Sequence, residues 1–349
     1  MPDRTFHTID PLVDNRWDEL ISTHPDASIF HHSGWMRALA RTYGFRPIVL
    51  TCGPDKGPLT NGIPFCEVRS WITGSRLVSL PFSDHCDPLL NGSENLSELV
   101  GWVKDELTRR KWRYVEFRPF QSELGSDPAI VSGQSFLLHT LNLEPPLGRI
   151  FDGLHRDSVQ RRIRRAEREG LKYEKGFSDK LLGDFYRLLI KTRMRHALPP
   201  QPLSWFSNLA TFLRDRLQIR VARKGAEPIA AILTLVHNGK VVYKYGCSDQ
   251  RFHNLAGMPF LFWKLIEESK AEQLKQLDFG RTDIENQGLI RFKDQFGTER
   301  RLLTYLRCRA YAGKETSVSH SFDSMRRLFS MLPARLSCPI GALLYRHIA

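Results

Sequence analysis

The sequence predicts an α/β protein, α+β in the way its helices and strands cluster, built as two similar halves that each carry a mixed sheet. Three observations lead there. A chain of 349 residues is too long for one ordinary core and suits two domains of about 150 residues each. Hydrophobic periodicity in the second half reads as the order ααα-βββ-α-β-α-β. The first half repeats that order closely enough to suggest an internal duplication.

In the first half, apolar residues three or four apart predict helices at 12–22, 33–43 and 94–110. Alternating or β-branched runs predict strands at 46–51, 59–68, 75–82 and 112–119. The Pro pair in NLEPPLGRI, 142–150, is the expected connection. In the second half, helices are predicted at 152–170, 179–196 and 202–216, ahead of any clear strand. Strands at 217–223, 228–237 and 240–247 follow, with Lys224-Gly225 and Asn238-Gly239 as turn signals between them. A helix at 258–271, a strand at 274–280, a helix at 286–296 and a strand at 301–309 complete the half. FRPIVLTCG matches LQIRVARKG in role, GSRLVSLPFSD matches KVVYKYGCSD, and KWRYVEFRPF matches LKQLDFGRTD. The expected domains are 1–148, 149–312 with the candidate site, and a basic amphipathic tail at 313–349.

Composition narrows the function. With 41% hydrophobic and 26% charged residues the chain is that of a folded soluble protein, and no apolar run approaches the roughly 18 residues of a membrane span. The opening MPDRTFHTID lacks the apolar core of a secretory signal, and six scattered cysteines show no metal-binding spacing, so a cytoplasmic location and no metal are expected. His85, Cys86 and Asp87 are adjacent on a strand, point to alternate faces and make a poor metal clamp. A net charge of +13 implies anionic partners: a phosphorylated substrate, a nucleic acid or an acidic membrane surface.

Several residues stand out as site candidates. Lys293 lies between Phe292 and Phe296 on a helix that follows an Asp278-Phe279-Gly280 turn. Either the helix buries Leu289, Phe292 and Phe296 while Lys293 snorkels outward, or the cation is held among aromatics as part of a site. Arg281 stands just past a strand end, as a bidentate clamp for phosphate or carboxylate or as a surface partner of Asp283. Asp278 reads as a proton acceptor or a turn cap. Arg193 and His196 are three apart, share a helix face and precede the rigid Pro199-Pro200 stop, which suits substrate binding and proton handling. Strand alternation sends Tyr243 and Tyr245 to one side and Lys244 to the other, lining a crevice. Asp84 and His85, with Ser83, occupy the matching strand end of the first half, as a second ligand site. The helix at 155–170 has an apolar seam of Val159, Ile163 and Ala166 and is otherwise covered by Arg161, Arg162, Arg164, Arg165 and Arg168. That face suits tRNA phosphates, a lipid-linked diphosphate or a membrane surface, or is a solvated face paired with Glu167 and Glu169. The 319–349 tail mixes Phe, Met and Leu with Arg326, Arg327, Arg335 and Arg346, in short amphipathic pieces that pack on the domain or lie on the inner membrane leaflet.

The run GL-x-x-FK-x-x-FG at 288–297 resembles the signature of the Fem transferases, which add amino acids to peptidoglycan precursors, and of acetyltransferase-like proteins of cellulose and exopolysaccharide gene clusters. Arg193, His196, Pro199 and Pro200, the stretch SLPFSDHCDPLL at 79–90 and RRIRRAEREGL at 161–171 resemble the same wider family. The element order is likewise similar to that of the GNAT acyltransferase fold, so the resemblance implies tandem GNAT-like domains with splayed sheets. Such folds bind the donor at an Arg/Gln-x-x-Gly-x-Gly/Ala loop. Here Arg251, Asn254 and Ala256 hold the spaced positions, Asn254 replacing a glycine, with Gly257 next. The resemblance implies an N-acyltransferase that moves an acyl group from coenzyme A, or an aminoacyl group from tRNA, to an amine of an anionic cell-envelope precursor. Lys293, His196 and Asp278 would serve catalysis, Arg281, Arg193, Tyr243, Tyr245, Asp84 and His85 the substrate, and Arg251, Asn254, Gly257, Arg161 and Arg165 the donor. Two alternatives are acetyl-coenzyme A-dependent modification of a polysaccharide and a non-catalytic scaffold at the membrane surface.

Overall fold

The computed structural model describes residues 6–53, 56–71, 74–91, 94–120, 130–309, 341 and 343–347. In chain order the elements are β1 (Phe6–Ile9), α1 (Arg16–Thr23), α2 (Ser33–Tyr43), β2 (Arg46–Cys52), β3 (Ile63–Ser70), β4 (Gly74–Val78), α3 (Glu94–Arg109), β5 (Tyr114–Phe117) and β6 (Ile130–Asn142). There follow α4 (Leu147–Gly153), α5 (Arg161–Arg168), β7 (Lys172–Gly176), α6 (Asp179–Arg195), α7 (Leu203–Leu213), β8 (Leu217–Lys224), β9 (Glu227–His237), β10 (Lys240–Ser248), α8 (Gly257–Ala271), β11 (Gln276–Asp283), α9 (Gln287–Asp294) and β12 (Glu299–Arg309). Most of the predicted tail, 319–340, lies outside the described residues.

Two compact units result. The first comprises Met1–Ser135, Leu303–Thr316 and Leu343–Ala349; the second comprises Phe136–Leu302 and Ser317–Ala342. In the first, strands run in the order β1-β2-β3-β4-β5, with the 306–309 end of β12 antiparallel to β5. In the second the order is β6-β11-β10-β9-β8-β7. Each sheet is antiparallel except for one parallel pair, β4 with β5 and β10 with β11. The strand predicted at 301–309 therefore completes the first unit, while β6, from before the connection, lies against β11 in the second. An open strand edge needs hydrogen-bonding length, not sequence neighbourhood, so the exchange costs no ladder bond.

Local chemistry explains the elements. Ser178 caps α6 by accepting from the Leu181 amide at 3.4 Å, and the helix buries Leu181, Leu182, Phe185, Leu188 and Leu189 at helical spacing. Between β9 and β10, Asn238 and Gly239 both take positive φ, 45° and 69°, as a two-residue hairpin requires. The first core gathers Leu50, Phe65, Leu77, Val103, Val115 and Phe117; the second gathers Ile163, Val241, Phe262, Leu277, Phe279 and Phe296. Three strands absent from the prediction are β1, β6 and β7, and β7 interrupts the three helices expected in a row.

Candidate functional site

The parallel contact between β10 and β11 is short. Lys240, Val241 and Val242 pair with Gln276, Leu277 and Asp278, and the register ends there. Each strand is then irregular: β10 slips against β9 between Tyr243 and Tyr245, and β11 slips against β6 between Asp278 and Arg281. Bulges bend and twist a strand, so the two part beyond Val242 and Asp278.

The slip in β10 overturns the expected alternation. Tyr243 packs edge-on to Phe262 of α8 at 4.7 Å, whereas the Tyr245 hydroxyl accepts from Trp205 Nε1 of α7 at 2.9 Å and its ring meets Phe206 at 5.1 Å. The two tyrosines thus serve opposite sides of the sheet, because the extra residue at the bulge resets the period of two. A Cβ added to Gly246 would overlap the Tyr243 hydroxyl, so this tyrosine folds along its own strand over the glycine. Burial pushes its phenol up, and the Arg193 charge works against that shift. Replacing Gly246 by alanine is expected to cost about 1–3 kcal/mol in an unfolding titration, as overpacking does. Tyr243→Phe, which keeps the ring and removes the group nearest the glycine, should leave stability within about 1 kcal/mol of the parent.

Beyond β10 the chain enters the predicted donor loop. The Asp249 carboxylate receives Arg251 Nη2 at 2.7 Å, the Arg251 amide at 3.1 Å and Lys191 Nζ at 2.6 Å. Those bonds, Arg251 first, hold it well below the usual carboxylate range. Arg251 is thereby folded back onto its own turn, and Asn254 is exposed. Gly257 is buried at the first position of α8, after Ala256 in the left-handed region at φ 60°; no side chain caps this helix. Pro259 has no N–H and the Phe260 amide bonds the Ala256 carbonyl, so the amides of Gly257 and Met258 are the two in this first turn left without a side-chain acceptor, an arrangement that favours anions.

A histidine and two arginines that the sequence does not assign to this loop act together here. His253 Nε2 lies 2.9 Å from Ser248 Oγ and 3.4 Å from Arg195 Nη1. Burial, with the charges of Arg195 and Arg162, pulls its imidazole below the ordinary value, against Asp249. Helix α5 packs on this turn and on α8. Its Arg162 is the arginine whose charge reaches the loop; Arg161 pairs with Asp157 at 2.9 Å, and both Arg161 and Arg165 are exposed.

At the parting edge of β11, Asp278 Oδ1 accepts from the Gly280 amide at 2.6 Å and closes a turn whose Gly280 has φ 73°. Lys293, only 2% exposed, donates from Nζ to the Gly280 carbonyl at 2.6 Å and to the Arg281 carbonyl at 3.2 Å. Its flanking Phe292 and Phe296 pack on Phe262, and Phe296 also on Phe279. Neither predicted alternative describes this geometry fully: Phe296 is buried and Phe292 half-buried, but Leu289 is exposed with Ile290 buried instead, and the lysine turns inward and fastens the bulge. The Arg281 guanidinium lies over the Phe136 ring at 4.1 Å. His139 of β6, fully buried and unread in the sequence, places Nε2 3.6 Å from Asp294 Oδ1, and Asp294 also binds Arg300.

Burial, reinforced by the Lys293 charge and opposed by Asp294, lowers His139 from 6.5 to about 4. A histidine neutral in the fold and protonated when unfolded stabilises above its unfolded value, and that contribution fades as pH falls from 6.5 toward 4. His139→Asn should remove roughly 1–3 kcal/mol of the stability change across that window, measured by denaturant unfolding at stepped pH. An unchanged pH slope would refute the assignment.

The remaining predicted residues are more dispersed. Arg193 is half-buried near the end of α6, and its charge reaches Tyr243 and Cys247; His196, exposed, terminates the helix, its amide bonding the Arg193 carbonyl at 3.1 Å. Asp84 and His85 belong to the first unit. There β4 and β5 pair over Leu77–Val115 and Val78–Glu116, but the loop after β4 continues the contact, the Ser79 amide bonding Glu116 O at 2.8 Å and the Cys86 amide bonding Arg118 O at 2.7 Å. Asp84 is buried with its carbonyl accepting from the Tyr305 hydroxyl at 2.8 Å, and the His85 ring meets Phe30 and Phe120 at 5.7 and 5.3 Å. The first unit thus fills with its own chain the parting that the second leaves between strands.

Residues 154–294 match a family model described as an acetyltransferase (GNAT) domain. No curated protein matches the chain in sequence. Among solved structures, FemX superposes with a TM-score of 0.65 at 12% identity over 85% of this chain and 96% of that one. A domain assigned as the C-terminal part of a lysylphosphatidylglycerol synthetase from Agrobacterium fabrum gives 0.55 at 13% identity, over 90% and 94%. A tandem GNAT protein of the clavulanic acid biosynthesis pathway gives 0.55 at 10%, over 89% and 100%. The two parallel pairs and these likenesses show a tandem GNAT fold, and residues 154–294 of the second unit are the stretch that matches a GNAT acetyltransferase domain.

Proposed function

We propose that the second unit transfers an acyl or aminoacyl group from a phosphate-bearing carrier to an amine of an anionic cell-envelope precursor. The observation that carries this reading is the parting of β10 and β11 after three paired residues, β10 being followed by a helix, α8, whose start has no side-chain cap. An amide-forming transferase needs an anion cradle for the carrier, an open strand edge to align the reactive carbonyl, and fixed charge where the tetrahedral oxyanion develops. The strands bordering the parting supply Lys244 and Arg281, and Arg193 lies near Tyr243. The amine attacks the carbonyl, the tetrahedral intermediate expels the carrier as thiolate or ribose alkoxide, and the proton lost by nitrogen passes, through His196 or solvent, to that leaving group, which departs as thiol or hydroxyl. Arg281, held from below by Lys293, and Arg193 would clamp the acceptor's phosphate or carboxylate. The Fem resemblance and the lysylphosphatidylglycerol synthetase likeness support an aminoacyl donor and an envelope acceptor.

A second reading is acetyl transfer from coenzyme A, favoured by the description of the matched domain. Titration calorimetry of the whole chain separates the two: heat with coenzyme A supports acetyl transfer, and amide formation from aminoacyl-tRNA supports the first reading. Failure of both donors would overturn the assignment of the parting as a donor site. Mass spectrometry of envelope precursors from a deletion strain then identifies the acceptor through the missing mass increment.

A further inference from the structure

The α5 arginines are far more numerous than the donor loop uses. Only Arg162 is directed to that loop by its effect on His253. Val159, Ile163 and Ala166 form the buried stripe, so Arg161, Arg165 and Arg168, spaced four and three apart, line the opposite side. Among the described residues the one carboxylate paired with any of these three is Asp157, with Arg161. Arg164 lies between the two sides, its guanidinium 5.5 Å above the Phe151 ring.

Beside Arg164 the surface opens into a groove of about 390 Å³ between α4, α5 and α8. Its floor is apolar: Leu147, Phe151, Ile163 and Trp263, with Phe151 and Trp263 edge-to-face at 4.9 Å. Asp152 and Glu167 share the rim with Arg164. An apolar trough along a helix whose outer stripe is cationic suits one kind of surface, with phosphates for the arginines and hydrocarbon for the trough. A nucleic acid would use the charge but not the apolar floor.

We propose that the outer face of α5 and the adjoining groove seat this protein on a bilayer rich in anionic phospholipid, with interfacial hydrocarbon resting on Leu147 and Phe151 at the mouth of the groove. The inference stands apart from donor and acceptor and holds whichever group is transferred.

The test is sedimentation of the full chain with vesicles of equal parts phosphatidylglycerol and phosphatidylcholine, and with phosphatidylcholine alone. Binding is expected to the first and not the second, and to weaken as salt rises. Combined Arg161→Gln, Arg165→Gln and Arg168→Gln should lower partitioning about a hundredfold, since each surface arginine near an anionic leaflet contributes roughly fivefold. These side chains are exposed, so an unchanged thermal unfolding profile confirms that the fold is intact. Leu147→Asn, an uncharged polar substitution in the groove, should weaken binding about tenfold while leaving the salt dependence as in the parent. Equal partitioning of parent and triple variant overturns the proposal. So does binding of bulk tRNA that the triple variant loses while neither protein binds the anionic vesicles.

Discussion

Replacing Lys293 by methionine is expected to destabilise the protein by about 3 kcal/mol or more and to lower kcat/KM at least tenfold. Methionine fills nearly the same volume among Phe292, Phe296 and the β11 turn, so the loss isolates the ammonium. That ammonium is the charged donor for the carbonyls of Gly280 and Arg281, both in the bulged stretch of β11. Hydrogen bonds to a charged group contribute about 1.5–3 kcal/mol each, and a buried carbonyl stripped of its donor retains its desolvation cost. The activity loss follows because the Arg281 backbone would be released while its guanidinium remains drawn to Phe136. Lys293 is in this sense a positioning residue, and kinetics distinguish that role from simple scaffolding. Arg281→Ala should reduce activity with little effect on stability, and the double variant should lose no more activity than the more damaging single one. If Lys293→Met unfolds at the parental denaturant concentration, the buried ammonium is not what fastens β11.

How this site was visible in the sequence depends on the distance over which its parts are encoded. The aromatic spacing around Lys293 and the Asp278-Phe279-Gly280 turn are local, and the chain shows them directly. Asn238-Gly239 likewise announces its hairpin, and Ser178 announces α6. The two bulges are different. Nothing in VVYKYGCS marks Lys244 as the residue that slips; the slip exists only against Thr234 and Leu233 of β9, and it sends Tyr243 and Tyr245 to opposite sides. His139 was hidden for a related reason. In FLLHTL it reads as one polar residue in an apolar run, and its nearness to Lys293 and Asp294 requires β6 to cross the predicted connection and join β11. The short strands β1 and β7, FHTI and KYEKG, have too little hydrophobic alternation to declare themselves and are strands because an edge accepted them. The cluster of Arg162, Arg195 and His253 comes from three separate segments, each ordinary alone.

Glu116→Gln should be the most destabilising single substitution in the first unit, costing about 3–5 kcal/mol. Glu116 is 4% exposed on β5 and accepts from Arg118 Nη2 at 3.0 Å and Arg307 Nη2 at 2.8 Å. Arg76, 2% exposed, also feels its charge. Two guanidinium groups thus grip one carboxylate with a third cation within reach of its field, and the two find further support on rings, Arg118 over Tyr305 and Arg307 over Tyr114, each at 4.8 Å. Removing the single negative charge leaves buried cations facing one another, which is worse than removing a matched pair. Burial pushes the Glu116 carboxyl up, but the charges and hydrogen bonds of Arg118 and Arg307 outweigh it and hold the group below its ordinary 4.5. With the folded value depressed, the stabilisation is present above 4.5 and is lost as pH falls through the folded value. Denaturant unfolding near neutral pH should therefore show the full deficit of Glu116→Gln, and the gap to the parent should narrow in acid as the parent's carboxylate is protonated. Glu116→Leu combined with Arg118→Met should be closer to the parent than Glu116→Gln, because it removes both members of the more deeply buried pair. A single variant within about 1 kcal/mol of the parent would mean that the arginines are satisfied by carbonyls alone, namely those of Leu80 and Ser83 for Arg118 and of His347 for Arg76.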